Sequence, residues 1–366
     1  MMKTLTLNGI TIGFYPDEGD AGGTKSYLSD LNSALSSSWS HNNSHTRPAP
    51  TINLVGWYAQ TYPGEEFNGF QLMPLVDDIK REYSRCAHNV GFIYEASVMP
   101  FQSWTGYTAD NNTKALQVVK VMQAILDRSK TEDGHFAISE IRLRFGHEMN
   151  YYIKSGLYPP CTHASNPGND FRTAFDQVAI AVHSLPSPYK QKVKMFWCPN
   201  IASTSSGAVA EYETYLPTLD YIDYVGIDYY CPSYGNLDPT DFVRKMKKVH
   251  DKYACATRPF ILGETGLHFD ENQGGGMNAK IEWLQVITGK EAKRRLPYMI
   301  GISWFNYEKD RDYRLLCVKG EDRQKNLPFV DWAGSQMLKE SKKVDDAGQA
   351  AKAGKVKKFW KTLLAN

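Results

Sequence analysis

The sequence predicts an α/β protein folded as a single (β/α)8 TIM barrel. Eight short segments rich in apolar and β-branched residues follow one another along the chain, and stretches with helical periodicity lie between them. This alternation is typical of parallel strands joined by helices. A chain of 366 residues is long for one domain, but barrels of this class commonly exceed about 250 residues. Eight units in one series favour a closed barrel over an open sheet.

The predicted strands and helices alternate from the start of the chain to about residue 306. The strands are Ile10–Tyr15, Thr51–Tyr58, Val90–Ala96, Ile138–Phe145, Val193–Pro199, Tyr224–Tyr229, Pro259–Gly263 and Met299–Asn306. The clearest helices are Tyr27–Ser36, Leu72–Ser84, Thr113–Ser129, Asp170–Ser184, Pro239–Tyr253 and Ala279–Thr288. We therefore expect one catalytic barrel over residues 1–330.

Two segments stand outside this pattern. Ser37–Pro50 is rich in Ser, Asn and Pro and predicts a surface loop between the first helix and the second strand. Residues 331–366 are rich in Lys and Ala and predict a helix with one apolar face. We expect this helix to dock on the barrel; contact with a membrane or a partner is the alternative. Its apolar residues are Val356, Phe359, Trp360, Leu363 and Leu364.

The charge balance points to a neutral ligand. The chain has 42 basic and 40 acidic residues, a formal charge of +2, so nothing indicates nucleic acid or a strongly charged substrate. Aromatic residues make up 13% of the chain, and their flat faces suit sugar rings, although most aromatic residues pack protein cores. No apolar stretch reaches about 18 residues, so we expect no membrane span. We also expect a monomer.

The cysteines and the N-terminal segment carry weaker signals. The six cysteines show neither CxxC nor Cys/His ligand spacing, so we expect no zinc site, and the chemistry below needs no cofactor. The first residues lack the basic start and apolar run of a secretory signal. Asn42-Asn43-Ser44 and Asn111-Asn112-Thr113 are glycosylation tripeptides that keep secretion possible, so localisation stays open.

Two carboxylates at predicted strand ends are the catalytic candidates, because barrel enzymes carry catalytic groups there. Glu148 follows the fourth strand and Glu264 ends the seventh. Retaining hydrolysis of a glycosidic bond needs two carboxyl groups about 5–5.5 Å apart. One is protonated and assists the leaving group, and the other is ionised and attacks the anomeric carbon. Strands four and seven can bring both groups to one barrel mouth. For either residue alone, an ordinary strand-end ion pair is the alternative.

The neighbours of each carboxyl group indicate its role. His147 and Asn150 flank Glu148 and are placed to hydrogen-bond its carboxyl group or a sugar, and partial desolvation there would raise its pKa as an acid requires. Arg144 stands at alternate spacing to Gly146 and Glu148, so with regular pairing it points to the same side of the strand as they do. It would hold a nearby carboxylate ionised. We assign that carboxylate as Glu264, which makes Glu264 the nucleophile and Glu148 the acid/base.

Five motifs in barrel order resemble strand signatures of glycoside hydrolase family 26. This is a clan A family of retaining endo-β-glycanases, best known for β-mannanases and including some xylanases and mixed-linkage glucanases. The fourth-strand motif is Arg144-x-x-His147-Glu148-Met149-Asn150. The others are Phe196-Trp197-Cys198-Pro199-Asn200, Tyr224-Val225-Gly226-Ile227-Asp228-Tyr229-Tyr230, Gly263-Glu264-Thr265-Gly266 and Ile302-Ser303-Trp304-Phe305-Asn306. The resemblance covers roughly positions 10–330.

The resemblance implies the same assignment of the two catalytic carboxyl groups and adds residues around them. It implies that Tyr230 hydrogen-bonds the nucleophile and that Trp304 stacks under the reacting sugar. Trp197 and Asp228 would shape the same wall, with packing behind the site as their alternative. The complete set of expected substrate-binding residues is Arg144, His147, Asn150, Trp197, Asp228, Tyr230 and Trp304.

Two departures from the family pattern bear on the substrate. Where the family commonly has Gly and a sugar-contacting Trp after the fourth-strand motif, this chain has Tyr151-Tyr152-Ile153. The third strand, Val90–Ala96, lacks the Trp-His pair usual in mannanases. Mannan specificity therefore stays open. Loop aromatics are expected to form distal subsites or, alternatively, to pack into the barrel rim; they are Trp57, Tyr58, Tyr62, Phe67 and Trp104.

The function predicted from these residues is cleavage of internal β-linkages in a neutral polysaccharide, β-1,4-mannan first and xylan or a β-glucan second. A catalytically decayed carbohydrate-binding barrel is the alternative from another class, although pure binding does not need paired acids. Other chemistries lack their motifs. Gly274-Gly275-Gly276 has no following Lys-Ser/Thr, so it is no phosphate-binding P-loop. His147-Glu148 lacks the second His of the zinc-binding HExxH helix, and the GxSxG turn that carries a nucleophilic serine does not occur.

Overall fold

The computed structural model is a closed barrel of eight parallel strands, as predicted. It describes residues 3–41, 48–86, 88, 90–232, 237–268, 276–319 and 324–339. Strand β1 pairs antiparallel with β2, whereas β2 to β9 follow chain order and the pairing of β2 with β9 closes the barrel. The strands are β1 Thr6–Leu7, β2 Ile10–Pro16, β3 Leu54–Thr61, β4 Phe92–Pro100, β5 Ile138–Phe145, β6 Val193–Trp197, β7 Tyr224–Asp228, β8 Phe260–Thr265 and β9 Met299–Asn306.

Helices surround the strands, and all six predicted helices are present. The helices are α1 Leu28–His41, α2 Met73–Arg85, α3 Thr113–Arg128, α4 Met149–Ser155, α5 Asn169–His183, α6 Tyr189–Lys192, α7 Ala208–Thr214, α8 Pro239–Tyr253, α9 Met277–Thr288 and α10 Lys290–Arg295. The four that the sequence missed, α4, α6, α7 and α10, have 4 to 7 residues. Elements of one or two turns are too short for a helical hydrophobic period to be recognised.

Most predicted boundaries differ from the observed ones by one to five residues, and two of the differences change what is buried. The expected loop Ser37–Pro50 is wrong at its start, because α1 continues to His41 and buries Trp39 in the core. The third barrel strand, β4, runs four residues beyond Ala96 to Pro100, and Ser97–Met99 are buried there.

The chain beyond the barrel is described only in part. Residues 327–339 form a helix that buries Phe329, Val330 and Trp332. The apolar face expected around Phe359 lies outside the described residues, so its docking stays a prediction. Among the described helices, none combines the length and apolarity that a membrane span requires.

The inside of the barrel contains charged and polar side chains beside apolar ones such as Phe196, whereas the layer between strands and helices is apolar. Arg142 on β5 lies 2.9 Å from Glu140 and 3.3 Å from Glu95, and Ser303 donates a hydrogen bond of 2.6 Å to Glu95. Arg142 and Glu95 are buried but paired, as buried ions must be. Arg144 points the same way two residues further along β5, towards the carboxyl ends of the strands. Charged side chains thus extend from the middle of the barrel to the candidate site at the carboxyl ends of the strands.

Candidate active site

A cleft of about 380 Å³ opens at the carboxyl ends of the barrel strands. Both predicted catalytic carboxyl groups, those of Glu148 and Glu264, line it, together with His147 and Tyr230. The remaining lining residues are Glu18, Asp20, Ala21, Tyr58, Gln60, Met99, Tyr152, Phe305, Tyr307, Lys309 and Tyr313. Barrel closure therefore brings the ends of β5 and β8 to one cavity.

Glu264 is held by two hydrogen-bond donors. Arg144 Nη1 donates to its Oε1 over 3.0 Å, and the Tyr230 hydroxyl donates to its Oε2 over 3.0 Å. His147 Nε2 lies 3.9 Å from the same Oε1. The side chain is almost fully buried, so the contact with Arg144 is a strong, charge-assisted one. This arrangement fixes the carboxyl group in one orientation and places a guanidinium beside it.

Arg144 connects this carboxylate to the barrel interior. Its guanidinium is fully buried and donates from Nη2 to Asp228 over 2.5 Å, and from Nη1 to Tyr15 over 2.7 Å and Ser97 over 3.2 Å. Asp228 also accepts a contact of 3.0 Å from the Cys198 thiol. Asp228 does not line the cleft. It orients Arg144, which is the packing alternative that the sequence left open.

The backbone at Glu148 adopts a left-handed conformation. Its φ is 53°, at the turn between β5 and α4, and its backbone N–H donates to the Cys198 carbonyl over 2.9 Å. Few non-glycine residues adopt positive φ, and those that do are concentrated at functional sites because the surrounding structure must compensate for the strain. The turn directs the Glu148 side chain into the cleft.

The Glu148 carboxyl group has a different environment from Glu264. Burial raises its pKa to about 7, and the nearby charge of Glu264 acts in the same direction. Hydrogen bonds from the Asn200 amide to Oε1 and from the Tyr152 hydroxyl oppose this rise. A carboxyl group with such a pKa is protonated in a substantial fraction of molecules near neutral pH. It can therefore donate a proton.

Asn150 acts behind the site. Its Oδ1 accepts from the Asn200 backbone N–H over 2.8 Å, and its Nδ2 donates to the Asn200 carbonyl over 3.0 Å and to Glu211 over 2.7 Å. The expected contact of Asn150 with the Glu148 carboxyl group is therefore wrong, and Asn200 makes it. The sequence contained the signal, since Asn200 ends the fifth-strand motif.

Two buried polar atoms at the cleft lack partners among the residues that the structure describes. They are Nδ1 of His147 and the hydroxyl oxygen of Tyr58, whose rings lie 5.5 Å apart. Burial and the Arg144 guanidinium hold the pKa of His147 well below its usual range, so the ring is neutral. Since buried polar groups are normally hydrogen-bonded, these two atoms are suited to meet hydroxyl groups of a ligand.

The two expected tryptophans do not line the cleft. Trp197 is fully buried and packs edge-on against Tyr253 of α8, with ring centroids 5.7 Å apart. In the register between β2 and β9, Tyr15 pairs with Phe305 and the preceding residue pairs with Trp304. Tyr15 contacts Arg144 inside the barrel, so its partner Phe305 also faces inward and Trp304 faces outward. Trp304 therefore does not face the cleft as expected of a sugar platform, whereas its neighbour Phe305 lines the cleft.

The aromatic lining extends from Phe305 along one wall. Its ring stacks on Tyr307 at 4.1 Å with an interplanar angle of 3°. Of the expected distal aromatics, Tyr58 lines the cleft, and Tyr62 is 36% exposed and packs against Phe101. The other three are buried in the core; they are Trp57, Phe67 and Trp104.

Glu18 is a cleft carboxyl group that the sequence analysis missed. It follows β2, accepts a hydrogen bond of 3.2 Å from Tyr307, and burial raises its pKa to about 7. Its position after the first barrel strand was the available signal, because barrel sites are built from the residues that follow each strand.

Comparison with known proteins shows similarity at the level of the fold. No family model and no curated protein matches the chain. Among solved structures, GH26C from a Muricauda species matches with a TM-score of 0.55 and 14% identity over 89% of this chain and 86% of that one. A GH5-4 broad specificity endoglucanase from an uncultured bacterium matches with a TM-score of 0.54 and 12% identity over 91% of this chain and 96% of that one.

A third solved structure extends this comparison. A modular endo-β-1,4-mannanase from Cellulomonas fimi matches with a TM-score of 0.50 and 15% identity over 87% of this chain and 76% of that one. At such low identities, the comparisons establish a (β/α)8 barrel of the kind that these glycoside hydrolases share.

Proposed function

We propose that this protein is a retaining endo-β-glycanase in which Glu264 is the nucleophile and Glu148 the acid/base. One observation carries the proposal: two carboxyl groups share one cleft in opposite environments. Glu264 is paired with Arg144, whereas burial raises the pKa of Glu148 to about 7. Pairs of carboxyl groups whose environments separate their protonation states are the mark of acid/base and nucleophile roles.

The proposed reaction has two steps. The Glu264 carboxylate attacks the anomeric carbon while the Glu148 carboxyl group gives its proton to the departing glycosidic oxygen, which leaves a covalent glycosyl-enzyme. Glu148, now ionised, takes a proton from water, the water oxygen attacks the anomeric carbon, and Glu264 leaves as a carboxylate. Arg144 and Tyr230 remain bonded to Glu264 and stabilise its charge when it departs.

The proposed substrate is a neutral β-linked polysaccharide, with β-1,4-mannan first and xylan or a β-glucan as alternatives. A cleft lined by aromatic residues, Phe305 and Tyr307 among them, suits sugar rings. The Cellulomonas fimi endo-β-1,4-mannanase and the GH5-4 endoglucanase compared above have folds of this kind. A decayed binding barrel is the competing hypothesis, and the ion pair and acid just described argue against it, since binding alone needs neither.

The test is release of reducing sugar from soluble β-mannan, β-xylan, mixed-linkage β-glucan and β-1,3-glucan. The wild type is expected to cut one of them, and Glu264→Gln and Glu148→Gln are each expected to lose orders of magnitude in kcat while remaining folded by circular dichroism. NMR of the first product formed would report the anomeric configuration and thus retention. Near-full activity of either variant would contradict the assignment, and tight oligosaccharide binding without product release would support the decayed barrel.

A further inference from the structure

The loop between α4 and α5 brings together three possible metal ligands away from the cleft. The Cys161 thiol, the His163 ring nitrogen and the Asp170 carboxylate offer ligand atoms that all lie within 4.8 Å of one another. His163 Nδ1 lies 3.4 Å from Asp170 Oδ1. Cys161 and His163 belong to the loop and Asp170 to the first turn of α5, so the fold, in addition to sequence proximity, creates the cluster.

The donor set selects for one kind of ion. A thiolate, an imidazole and a carboxylate together are typical Zn²⁺ ligands, whereas Ca²⁺ and Mg²⁺ prefer oxygen alone. With Zn–N and Zn–O bonds of about 2.0–2.1 Å, two ligands at a tetrahedral angle are separated by about 3.3 Å. The distance of 3.4 Å between His163 Nδ1 and Asp170 Oδ1 agrees with this separation. The Cys161 sulfur lies within 4.8 Å of both atoms, and a Zn–S bond of about 2.3 Å would place it about 3.6 Å from each.

Hydrogen bonds from Thr162 orient the carboxylate for such a role. The Thr162 backbone N–H and hydroxyl donate to Asp170 Oδ2 over 2.6 Å and 2.8 Å, while Oδ1 faces His163. Outer hydrogen bonds of this kind are usual around metal ligands. The Thr162 hydroxyl also lies 3.0 Å from His163 Nδ1, a contact that an ion would replace. The loop is open to solvent at His163, which allows an ion to enter.

We propose that Cys161, His163 and Asp170 bind Zn²⁺, with water as the fourth ligand. The expectation of no zinc site rested on cysteine spacing, and Asp170 could not be recognised as a third ligand from spacing alone. This inference does not depend on the proposed glycanase activity.

Bound Zn²⁺ would rigidify the loop between α4 and α5, which contacts the turn that carries Glu148. Immediately before the cluster, the Tyr158 hydroxyl donates to the His147 carbonyl over 2.9 Å, and Trp104 Nε1 donates to the Pro159 carbonyl over 3.1 Å. Cys161 is two residues beyond Pro159. A metal at the cluster would therefore hold Tyr158 in place under the turn that carries Glu148. Its expected contribution is to stability and rigidity, with no step in the reaction.

Cobalt absorption is the sharpest test. The full-length protein, stripped with a chelator and kept reduced with a phosphine, is titrated with Co²⁺ and then with Zn²⁺. One equivalent of Co²⁺ should produce a sulfur-to-cobalt charge-transfer band and visible d–d bands, and Zn²⁺ should displace both. Cys161→Ser should abolish the charge-transfer band, and Asp170→Asn should weaken Zn²⁺ binding by roughly tenfold or more in calorimetry.

Cys255→Ser is the matched control, because Cys255 is a similarly accessible free thiol in a different loop. It should leave the Co²⁺ spectrum and Zn²⁺ affinity unchanged. Zn²⁺ should also raise the thermal midpoint of the wild type and Cys255→Ser but not of Cys161→Ser. Absence of the charge-transfer band in the wild type, or its persistence in Cys161→Ser, would overturn the proposal. Asp170→Asn can still accept the Thr162 hydrogen bonds, so this variant tests the site without disturbing the loop.

Discussion

The side-chain amide of Asn200 donates a hydrogen bond to Oε1 of Glu148. It joins the segments that follow β6 and β5, and Asn150 holds it in place through two backbone contacts. Because a donor to a carboxylate stabilises the ionised form, this bond lowers the pKa of Glu148 while burial raises it. The balance between the two determines the pH range in which Glu148 can serve as an acid.

Asn200→Ala should move the alkaline limb of the activity profile to higher pH. In the wild type, activity is expected to fall as pH rises through about 7, because Glu148 loses its proton there. Without the Asn200 amide the pKa of Glu148 rises, so the alkaline limb shifts to higher pH. We also expect kcat to fall. The measurement is kcat/KM against pH on the glycan that the wild type cuts. A limb that stays in place would exclude this role of Asn200.

Glu148→Gln should stabilise the protein at alkaline pH. The pKa of Glu148 is raised from 4.5 to about 7 on folding, so its favourable contribution is fully present below about pH 4.5 and is lost as pH rises through 7. A neutral glutamine avoids that loss. Urea unfolding at about pH 8 should show a gain of up to about 3 kcal/mol over the wild type, and little difference at about pH 4.5. An equal effect at both pH values would contradict the assigned cause.

Arg144→Lys should damage both stability and activity. A lysine cannot reach Glu264, Asp228 and the two hydroxyl groups with one ammonium, so buried partners are left without donors. We expect unfolding free energy to fall by about 1–3 kcal/mol and kcat/KM by roughly 100-fold or more. Arg128→Lys is the matched control, since its pair with Asp77 is exposed and should change stability by less than about 0.5 kcal/mol.

Phe305→Ala and Trp304→Phe should separate sugar binding from packing. Phe305 lines the cleft, so its loss should lower kcat/KM by roughly tenfold, equivalent to about 1.4 kcal/mol. Trp304 is fully buried and its Nε1 donates to the Tyr313 carbonyl over 2.8 Å, so its replacement should cost about 1–3 kcal/mol of stability. Activity of the folded Trp304→Phe protein should be near that of the wild type. The reverse pattern would restore Trp304 as the sugar platform.

Tyr58→Phe should weaken catalysis without weakening the fold. The Tyr58 hydroxyl is buried and has no partner among the described residues, so the free protein gains nothing from it. A substrate hydroxyl would satisfy it, and its removal should lower kcat/KM by roughly tenfold or more, with an unchanged or slightly higher thermal midpoint. Unchanged kinetics would show that this hydroxyl does not contact the sugar.

The sequence by itself determined the barrel and the central residues of the candidate site. Eight apolar segments separated by helical ones are sufficient to predict parallel strands in chain order, and closure places all their carboxyl ends at one mouth. Alternation along β5 directs Arg144 into the barrel, and the left-handed turn after β5 directs Glu148 into the same cleft. Arg144, Glu148 and Glu264 were found from the local pattern, and Tyr230 from the resemblance to glycoside hydrolase family 26. The contacts of Arg144 and Tyr230 with Glu264 are present.

Only the tertiary structure decided the rest. Which of two adjacent residues, Trp304 or Phe305, faces inward depends on the register between β9 and β2, and periodicity within one strand leaves a one-residue shift undetermined. Asn200 reaches Glu148 because the segments that follow β6 and β5 meet after the barrel closes. Local sequence encodes the direction of a side chain relative to its own element, whereas contacts between elements follow from how those elements pack.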